Sequence, residues 1–304
     1  MQRLAEIKEF DNIELLARQV VEGFLIGLHK SPFHGFSVEF AEHRLYNPGE
    51  STKNIDWKVF GRTDKMFVKR YEEETNLRCQ IVIDASSSMY FPKDEKGKGN
   101  KMKFSVCCAA ALINLLKKQR DAAGLSVFTN HLIINTPAKG TQQHTERLFA
   151  DLEKLIAQPF VNETTNAGEC LHLIADTAHT RSLVIVFSDM FDDLTPEGKD
   201  KLFSALQHLK FNKHEVILFH VVDKKLEEDF AFENRPYQFI DMETGEKIKV
   251  HTAEVREFYT TQMDTFKQEL KLKCAQYKVQ FVEADINETF GQVLLPFLLK
   301  RNKM

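Results

Sequence analysis

The sequence has no uncharged apolar run that approaches the roughly 18 residues needed by a membrane-spanning helix. Its opening residues, MQRLAEIKEFDNIELL, carry four acidic side chains and no apolar centre. A secretory signal, in contrast, needs an apolar segment there. Both absences argue against a membrane or secreted protein, and we expect a cytoplasmic one.

Cysteine and net charge are also scarce. The five cysteines lie in apolar stretches, without a CxxC pair or a Cys/His cluster. This pattern predicts reduced, buried thiols rather than a disulfide framework or a zinc site. The formal net charge is only −3, which gives no argument for nucleic acid or an anionic membrane as the partner.

The chain from about residue 77 onward alternates short apolar runs with amphipathic segments. The runs are Cys79–Ile83, Leu125–Phe128, Leu183–Phe187 and Val216–Val222, and helical spacing is found over 103–117, 145–157, 169–179 and 199–210. Continuous apolar strands that alternate with helices predict an α/β fold with a mostly parallel, Rossmann-type sheet covered on both faces. Leu132–Asn135 follows the second run after three turn residues, which predicts an antiparallel edge strand.

Further segments precede, follow or interrupt these strands and helices. Residues 1–76 are predicted to form a helix over 12–29 and a small β-rich segment, which pack on the main domain at 77–304 because this flank is too poor in apolar periodicity to bury its own core. The main domain is expected to carry an insertion at about 223–252, with a hairpin around Glu243-Thr-Gly-Glu, followed by a long helix, a strand at 279–282 and a helix at 287–301. The stretch Lys93–Lys103 (KDEKGKGNKMK) is expected to be a solvated loop.

Oxygen-bearing side chains follow two of the predicted strands. The first strand ends in Asp84-Ala-Ser86-Ser-Ser88, the strand Leu183–Phe187 ends in Ser188-Asp189, and Thr165 lies between them in the sequence. Ligands of open α/β sheets bind beyond the carboxyl ends of strands, and two carboxylates with three hydroxyls suit a small hard cation such as Mg²⁺ or Mn²⁺. Each piece also has a purely structural interpretation: the serines as turn formers, and Thr165 as the cap of the helix that follows it.

The order Asp84-x-Ser86-x-Ser88, Thr165, Asp189 resembles the metal-ion-dependent adhesion site of von Willebrand factor A domains. Thr165-Asn-Ala-Gly168 is similar to the Thr-Asn-Thr-Gly of that fold, with Ala167 in place of the second threonine. The resemblance implies that Ser86, Ser88 and Thr165 reach the metal directly and that both aspartates bind it directly or through water. It further implies that the carboxylate of a partner protein supplies the last ligand.

The segment before this site is similar to the bacterial family called domain of unknown function 58. The resemblance rests on Gly35-Phe-Ser-Val-Glu39-Phe, Arg44-Leu-Tyr46-x-Pro48-Gly49-Glu, Ile55-Asp56-Trp57-Lys58, Arg62-Thr and Val68-Lys69-Arg70-Tyr71-Glu72-Glu73-Glu74. Members are typically encoded beside MoxR-type AAA+ ATPases, so the resemblance implies such an ATPase as partner. Gly49-Glu-Ser and Lys69 depart from the commoner Gly-Asp-Asp and arginine.

Three functional hypotheses follow. The first is a non-enzymatic, cation-dependent protein-binding module that acts as an adaptor for the ATPase or its client. The second is a Mg²⁺-dependent phosphohydrolase using Asp84, although such enzymes place an acid/base aspartate where Ser86 stands. The third is a structural domain with an unmetallated site. The basic stretch Lys53 to Arg70 is open to two interpretations, a docking surface or a solvated flank paired with Glu72–Glu74.

Overall fold

The computed structural model describes residues 14, 39–47, 52, 55–72, 77–93, 99–160, 163–191, 195–288 and 293–294. The predicted helix at 12–29 lies outside this part except for Glu14, which is helical, and most of the predicted helix at 287–301 also lies outside it. The described residues form two compact units, one within Phe33–Leu77 and one from Arg78 onward that includes Glu14. The predicted packing of residues 1–76 on the main domain stays a prediction.

The smaller unit is built on an antiparallel strand pair, β1 (Glu39–Leu45) and β2 (Phe67–Glu72). Between them lies a short helix, α1 (Trp57–Thr63), where the sequence had suggested only strands and loops. Asp56 explains its start, because the carboxylate accepts hydrogen bonds from the backbone N–H groups of Lys58 and Val59 at 3.0 and 3.2 Å.

The larger unit contains a six-stranded sheet and a separate hairpin. The sheet is formed by β3 (Arg78–Asp84), β4 (Ala122–Phe128), β5 (Leu132–Lys139), β6 (Leu183–Ser188), β7 (Glu215–Val222) and β10 (Gln280–Asp285). The hairpin is formed by β8 (Pro236–Ile240) and β9 (Lys247–His251). The six-stranded sheet has the order β10-β7-β6-β3-β4-β5, and all pairs are parallel except β4 with β5. If the six strands are numbered 1 to 6 in chain order and the sheet is read from β5 to β10, the order is 3-2-1-4-5-6, which is that of a doubly wound sheet. The predicted fold class, a mostly parallel α/β sheet with an antiparallel edge strand, is confirmed.

Five helices accompany the sheet in the described part of this unit: α2 (Lys101–Lys118), α3 (Gln142–Ala157), α4 (Ala167–Thr177), α5 (Pro196–Phe211) and α6 (Thr252–Gln276). One face of the sheet, with Val82, Val184 and Leu218, packs against α4, α5 and α6 in a single apolar cluster. Strand side chains alternate between faces, so the neighbours Ile81, Ile83 and Ile185 face the side covered by α2 and α3. The sequence predicted an amphipathic helix here, but α2 is buried on all sides from Lys101 to Leu116, and only its last two residues reach solvent.

The predicted solvated loop at Lys93–Lys103 is wrong in its last three residues. Helix α2 begins at Lys101, after the cap Asn100, whose side chain accepts a hydrogen bond from the N–H of Lys103 at 2.8 Å. The Lys101 side chain is fully buried. It is held there by two carboxylates that are distant in sequence, which local composition does not reveal.

The insertion after β7 contains one turn of π-helix (Lys224–Glu228) and the hairpin of β8 and β9, which pair with each other as a separate two-stranded sheet. The predicted hairpin turn at Glu243-Thr-Gly-Glu is confirmed, and Gly245 supplies the positive φ of 76° that this turn requires. All five cysteines are buried thiols, as predicted. In the described residues no helix combines the length and apolarity that crossing a membrane requires.

Candidate metal site

The strand order places the candidate site at the point where the sheet changes direction. Strands β3 and β6 are adjacent and parallel, although the chain visits β4 and β5 between them. Their register pairs Ile83 with Phe187, which brings Asp84 and Ser188 side by side at the carboxyl edge. Ligand sites of doubly wound sheets lie at this crevice. The backbone therefore brings Asp84 close to Asp189, the residue after Ser188, as the sequence predicted.

Asp84 is fully enclosed, with an exposed fraction of 0%, as are Ser86 and Asp189. One carboxylate oxygen accepts the Ser86 backbone N–H at 2.9 Å, and the other accepts the Ser188 hydroxyl at 2.7 Å. Burial, followed by the charge of Asp189, raises the pKa of the Asp84 carboxyl to about 7. A buried carboxylate that repels its neighbour in this way is stabilised by a cation placed between them.

The two serines of the D-x-S-x-S turn converge on each other. Ser86 precedes one turn of 3-10 helix (Ser87–Tyr90), and the Oγ atoms of Ser86 and Ser88 lie 3.0 Å apart. The Ser88 hydroxyl also lies near the Asp189 carboxylate and helps to lower its pKa. The turn therefore presents two neutral oxygens beside both aspartates, in the combination expected from the sequence.

Thr165 reaches the site on a loop that is tied to the serine turn. The Ser87 N–H donates to the Glu163 carbonyl at 3.1 Å, and the Glu163 N–H donates to the Ser87 hydroxyl oxygen at 2.9 Å. The structure rejects the alternative that Thr165 caps the next helix, because the cap of α4 is Asn166, whose side chain accepts the Glu169 N–H. The Thr165 Oγ1 atom is buried and has no hydrogen-bond partner. Such orphaned buried hydroxyls are uncommon in folded proteins and call for an explanation.

Asp189 is held by a lysine that sequence reasoning missed. One carboxylate oxygen accepts the Phe191 N–H at 3.0 Å, and the other accepts the Lys101 ammonium at 2.7 Å. The same ammonium donates to Glu227 at 2.5 Å. Burial alone would raise the pKa of Asp189, but the charge of Lys101 outweighs it and lowers that pKa. Burial likewise opposes the charged form of Lys101, and the two carboxylates more than compensate, so the lysine pKa is raised.

One signal in the sequence points to Lys101. A cation in the first turn of a helix opposes the helix dipole, and here it opens an otherwise apolar helix. A compensating anion nearby was therefore to be expected, although nothing local identifies Asp189 or Glu227 as that anion.

A third carboxylate approaches the site from the insertion. Glu243 lies in the turn between β8 and β9, and its Oε1 atom is buried without a hydrogen-bond partner. The Thr165 backbone N–H is near enough to favour the charged form of the Glu243 carboxyl and so to lower its pKa. Burial, and then the charges of Asp189 and Asp84, raise the Glu243 pKa to about 7. The sequence predicted the turn but gave no sign that its acidic side chain meets the predicted ligands.

The donor set fits a small hard cation. No group of three or more His, Cys, Asp or Glu side chains is arranged to hold a metal anywhere in the described ranges. The set here combines carboxylates with hydroxyls instead, which is oxygen chemistry suited to Mg²⁺ or Mn²⁺. The cluster holds four carboxylates, those of Asp84, Asp189, Glu227 and Glu243, and one ammonium, that of Lys101, which hydrogen-bonds Asp189 and Glu227. An added cation would both reduce this excess of negative charge and give the Thr165 hydroxyl a partner.

Comparison with other proteins shows distant relatives. The chain is 22% identical over 213 residues to "Uncharacterized protein Rv1480" of Mycobacterium tuberculosis and, at the same identity, to "Uncharacterized protein Mb1516" of Mycobacterium bovis. The matched region covers 70% of this chain and 64% of each relative, so the chain spans less than two thirds of their length.

Two solved structures are similar in part. The crystal structure of a conserved hypothetical protein BatB from Bacteroides thetaiotaomicron aligns with a TM-score of 0.46 at 15% identity, over 75% of this chain and all of that one. An aerotolerance-related membrane protein from Bacteroides fragilis aligns with a TM-score of 0.47 at 15% identity, with the same coverage. The family model described as "Protein of unknown function DUF58" matches residues 42–269. Since this match extends over most of the sequence, the chain belongs to the DUF58 family.

Proposed function

We propose that the chain is a non-enzymatic protein-binding module that uses Mg²⁺ or Mn²⁺ to bind an acidic side chain of its partner. The observation that carries this proposal is the buried, unpartnered hydroxyl of Thr165, on a loop that Glu163 ties to the Asp84–Ser88 turn at the turning point of the sheet. A site built for stability alone would satisfy this hydroxyl within the protein.

We expect the aspartates and the hydroxyls to contact the cation in different ways. Both oxygens of Asp84 and both of Asp189 accept hydrogen bonds from the chain, which favours contact with the metal through water. The hydroxyls of Ser86, Ser88 and Thr165 would hold the cation directly. The bound cation would supply a local positive charge that accepts a carboxylate ligand from another protein.

The partner we propose is a MoxR-type AAA+ ATPase or its client, because the family resemblance associates such ATPases with this kind of chain. The chemistry required of the partner is an accessible Asp or Glu that reaches the site. The net charge of −3 gives no general attraction to nucleic acid or anionic lipid. A cytoplasmic location is part of the same proposal.

One observation favours the alternative of an unmetallated, structural site. The Lys101 ammonium already neutralises part of the acidic cluster through Asp189 and Glu227. However, the ammonium hydrogen bonds go to those two carboxylates, and neither Asp84 nor the Thr165 hydroxyl receives one. A hydrolase using Asp84 has less support, because Ser86 stands where such enzymes place an acid/base aspartate. The Ser86 hydroxyl lies 3.0 Å from that of Ser88, which is a neutral contact.

Titration calorimetry with Mg²⁺ on wild type and on Thr165→Val tests the proposed metal site. Removal of this hydroxyl should weaken Mg²⁺ binding at least about 10-fold, since even the loss of a second-shell partner typically costs 10–100-fold in metal affinity. The metal-free melting temperature should hardly change, because valine is isosteric and no hydrogen bond of the hydroxyl is lost.

The matched control is Thr164→Ala, since Thr164 is the exposed neighbour on the same loop. This variant should bind Mg²⁺ like wild type. If wild type and T165V bind Mg²⁺ equally, or if neither binds it, Thr165 is not a metal ligand and the structural alternative gains support.

A further inference from the structure

The hairpin turn that carries Glu243 has a well-defined backbone and an anomalous side chain. The Asp241 carboxylate accepts the Glu243 N–H at 2.8 Å and the Thr244 hydroxyl at 2.7 Å, which fixes the turn. Neighbouring Thr244, Gly245 and Glu246 are exposed, whereas Glu243 is half-buried. In this otherwise exposed turn, Glu243 directs a carboxylate oxygen inward, to a place where it has no hydrogen-bond partner.

This position is unfavourable for Glu243 unless a cation is present. The carboxylate gives up water, and it feels the negative charges of Asp189 and Asp84. Of the nearby groups of the site, the Thr165 backbone N–H favours its charged form. A glutamate in an exposed turn has ready access to solvent, so like charges brought together here point to a positive ion among them.

The inference rests on the cation site proposed above and concerns the last ligand of the cation. We propose that Glu243 is an intramolecular ligand of the cation. In the free protein its carboxylate occupies the position that an acidic residue of the partner takes in the complex. The hairpin is then a cap on the site, and the partner must displace it.

Aromatic contacts hold the hairpin, which lies apart from the central sheet. Phe230 packs against Tyr259 of α6 and against Phe239, the penultimate residue of β8, with ring centroids 4.7 and 5.7 Å apart. The two strands pair with each other and not with the six-stranded sheet. Displacement of the tip therefore breaks no hydrogen bond of the central sheet.

A cavity of about 530 Å³ is lined by residues of both the serine turn and the hairpin, among them Ser87, Tyr90, Ile240 and Met242. Ile240 and Ile248 on the hairpin strands are 54% and 59% exposed. The tip is consequently not packed into the core, and it can move without opening the apolar interior.

The test counts the water molecules on bound Mn²⁺ by electron–nuclear double resonance in isotopically labelled water. Wild type is compared with Glu243→Ala and with the control Glu246→Ala, since Glu246 is an exposed acidic residue of the same turn. The manganese of E243A should carry one more water than that of wild type, and E246A should match wild type. The Mn²⁺ affinity of E243A should also fall about 10-fold, by analogy with the loss of a supporting ligand.

Hydrogen exchange provides a second measurement on the same proteins. Mg²⁺ should slow exchange of the backbone N–H groups over 241–246 in wild type and in E246A, and it should leave their exchange unchanged in E243A. Equal water counts in wild type and E243A, with Mn²⁺ bound to both, would overturn the intramolecular ligand and leave the metal site standing. Failure of wild type to bind Mn²⁺ would overturn both.

Discussion

Lys101 offers the most quantitative test of the site's electrostatics. Its ammonium lies 2.7 Å from Asp189 and 2.5 Å from Glu227, and the side chains of Lys101 and Asp189 are both fully buried. Lys101→Met keeps the length and apolar stem of the side chain but removes its charge. The two carboxylates then remain buried without their cation.

The expected loss of stability follows from this burial. Removal of one partner from a buried ion pair typically costs about 3–5 kcal/mol, because the remaining charge is left without compensation. The control is Lys117→Met on the same helix. Lys117 pairs with Glu14 at 3.1 Å, but these side chains are 28% and 31% exposed. A pair so accessible to water contributes only about 0–1 kcal/mol.

Urea denaturation at neutral pH in EDTA measures both free energies of unfolding. A second series in Mg²⁺ should restore part of the stability of K101M, because the metal supplies positive charge next to Asp189. At 100 times the dissociation constant, ligand binding adds about 2.7 kcal/mol. If the free energy of unfolding of K101M in EDTA is within about 1 kcal/mol of the wild-type value, or equals that of K117M, the ion pairs of Lys101 with Asp189 and Glu227 do not stabilise the fold as proposed.

Two glycines provide opposite predictions for the fold. A side chain at Gly124 would place its Cβ 2.3 Å from the Gln80 Oε1 atom and 2.7 Å from backbone atoms of Thr136 and Ala138, so Gly124→Ala should lower the free energy of unfolding by about 1–3 kcal/mol through overpacking. Gly61 lies in α1 with nothing within 4 Å of its Cβ position, and Gly61→Ala should instead stabilise that helix by up to about 1 kcal/mol. Chemical denaturation measures the first effect, and the helical circular dichroism signal on heating follows the second. A fully stable G124A would mean that β4 and β5 are not packed as described.

The strands and their mostly parallel arrangement were predictable because their sequence signal is strong and regular. Fully buried parallel strands such as Leu183–Phe187 contain only apolar residues, and the alternation with helices leaves few possible topologies. Asp84 and Asp189 were predictable for the same reason, since both follow directly on such strands. The short helix α1 was missed because a seven-residue segment started by one Asp cap has little periodicity.

The parts of the site that were not predictable depend on contacts between distant segments. Lys101 belongs to a stretch rich in lysine and glycine, and its partner Glu227 is 126 residues away. Composition indicates a solvated loop there, and only the tertiary structure supplies the compensating charges. Glu243 was missed in the same way, because Glu-Thr-Gly-Glu specifies a turn but not the surface on which the turn lies.

The most direct test of the central claim, cation-dependent protein binding, is capture of a purified MoxR-type AAA+ ATPase on the immobilised protein in Mg²⁺ and in EDTA. The proposed function predicts that the ATPase is retained in Mg²⁺, is released by EDTA, and is not retained by T165V in either buffer. Retention at full strength in EDTA, or equal retention by wild type and T165V, would contradict a metal-mediated contact.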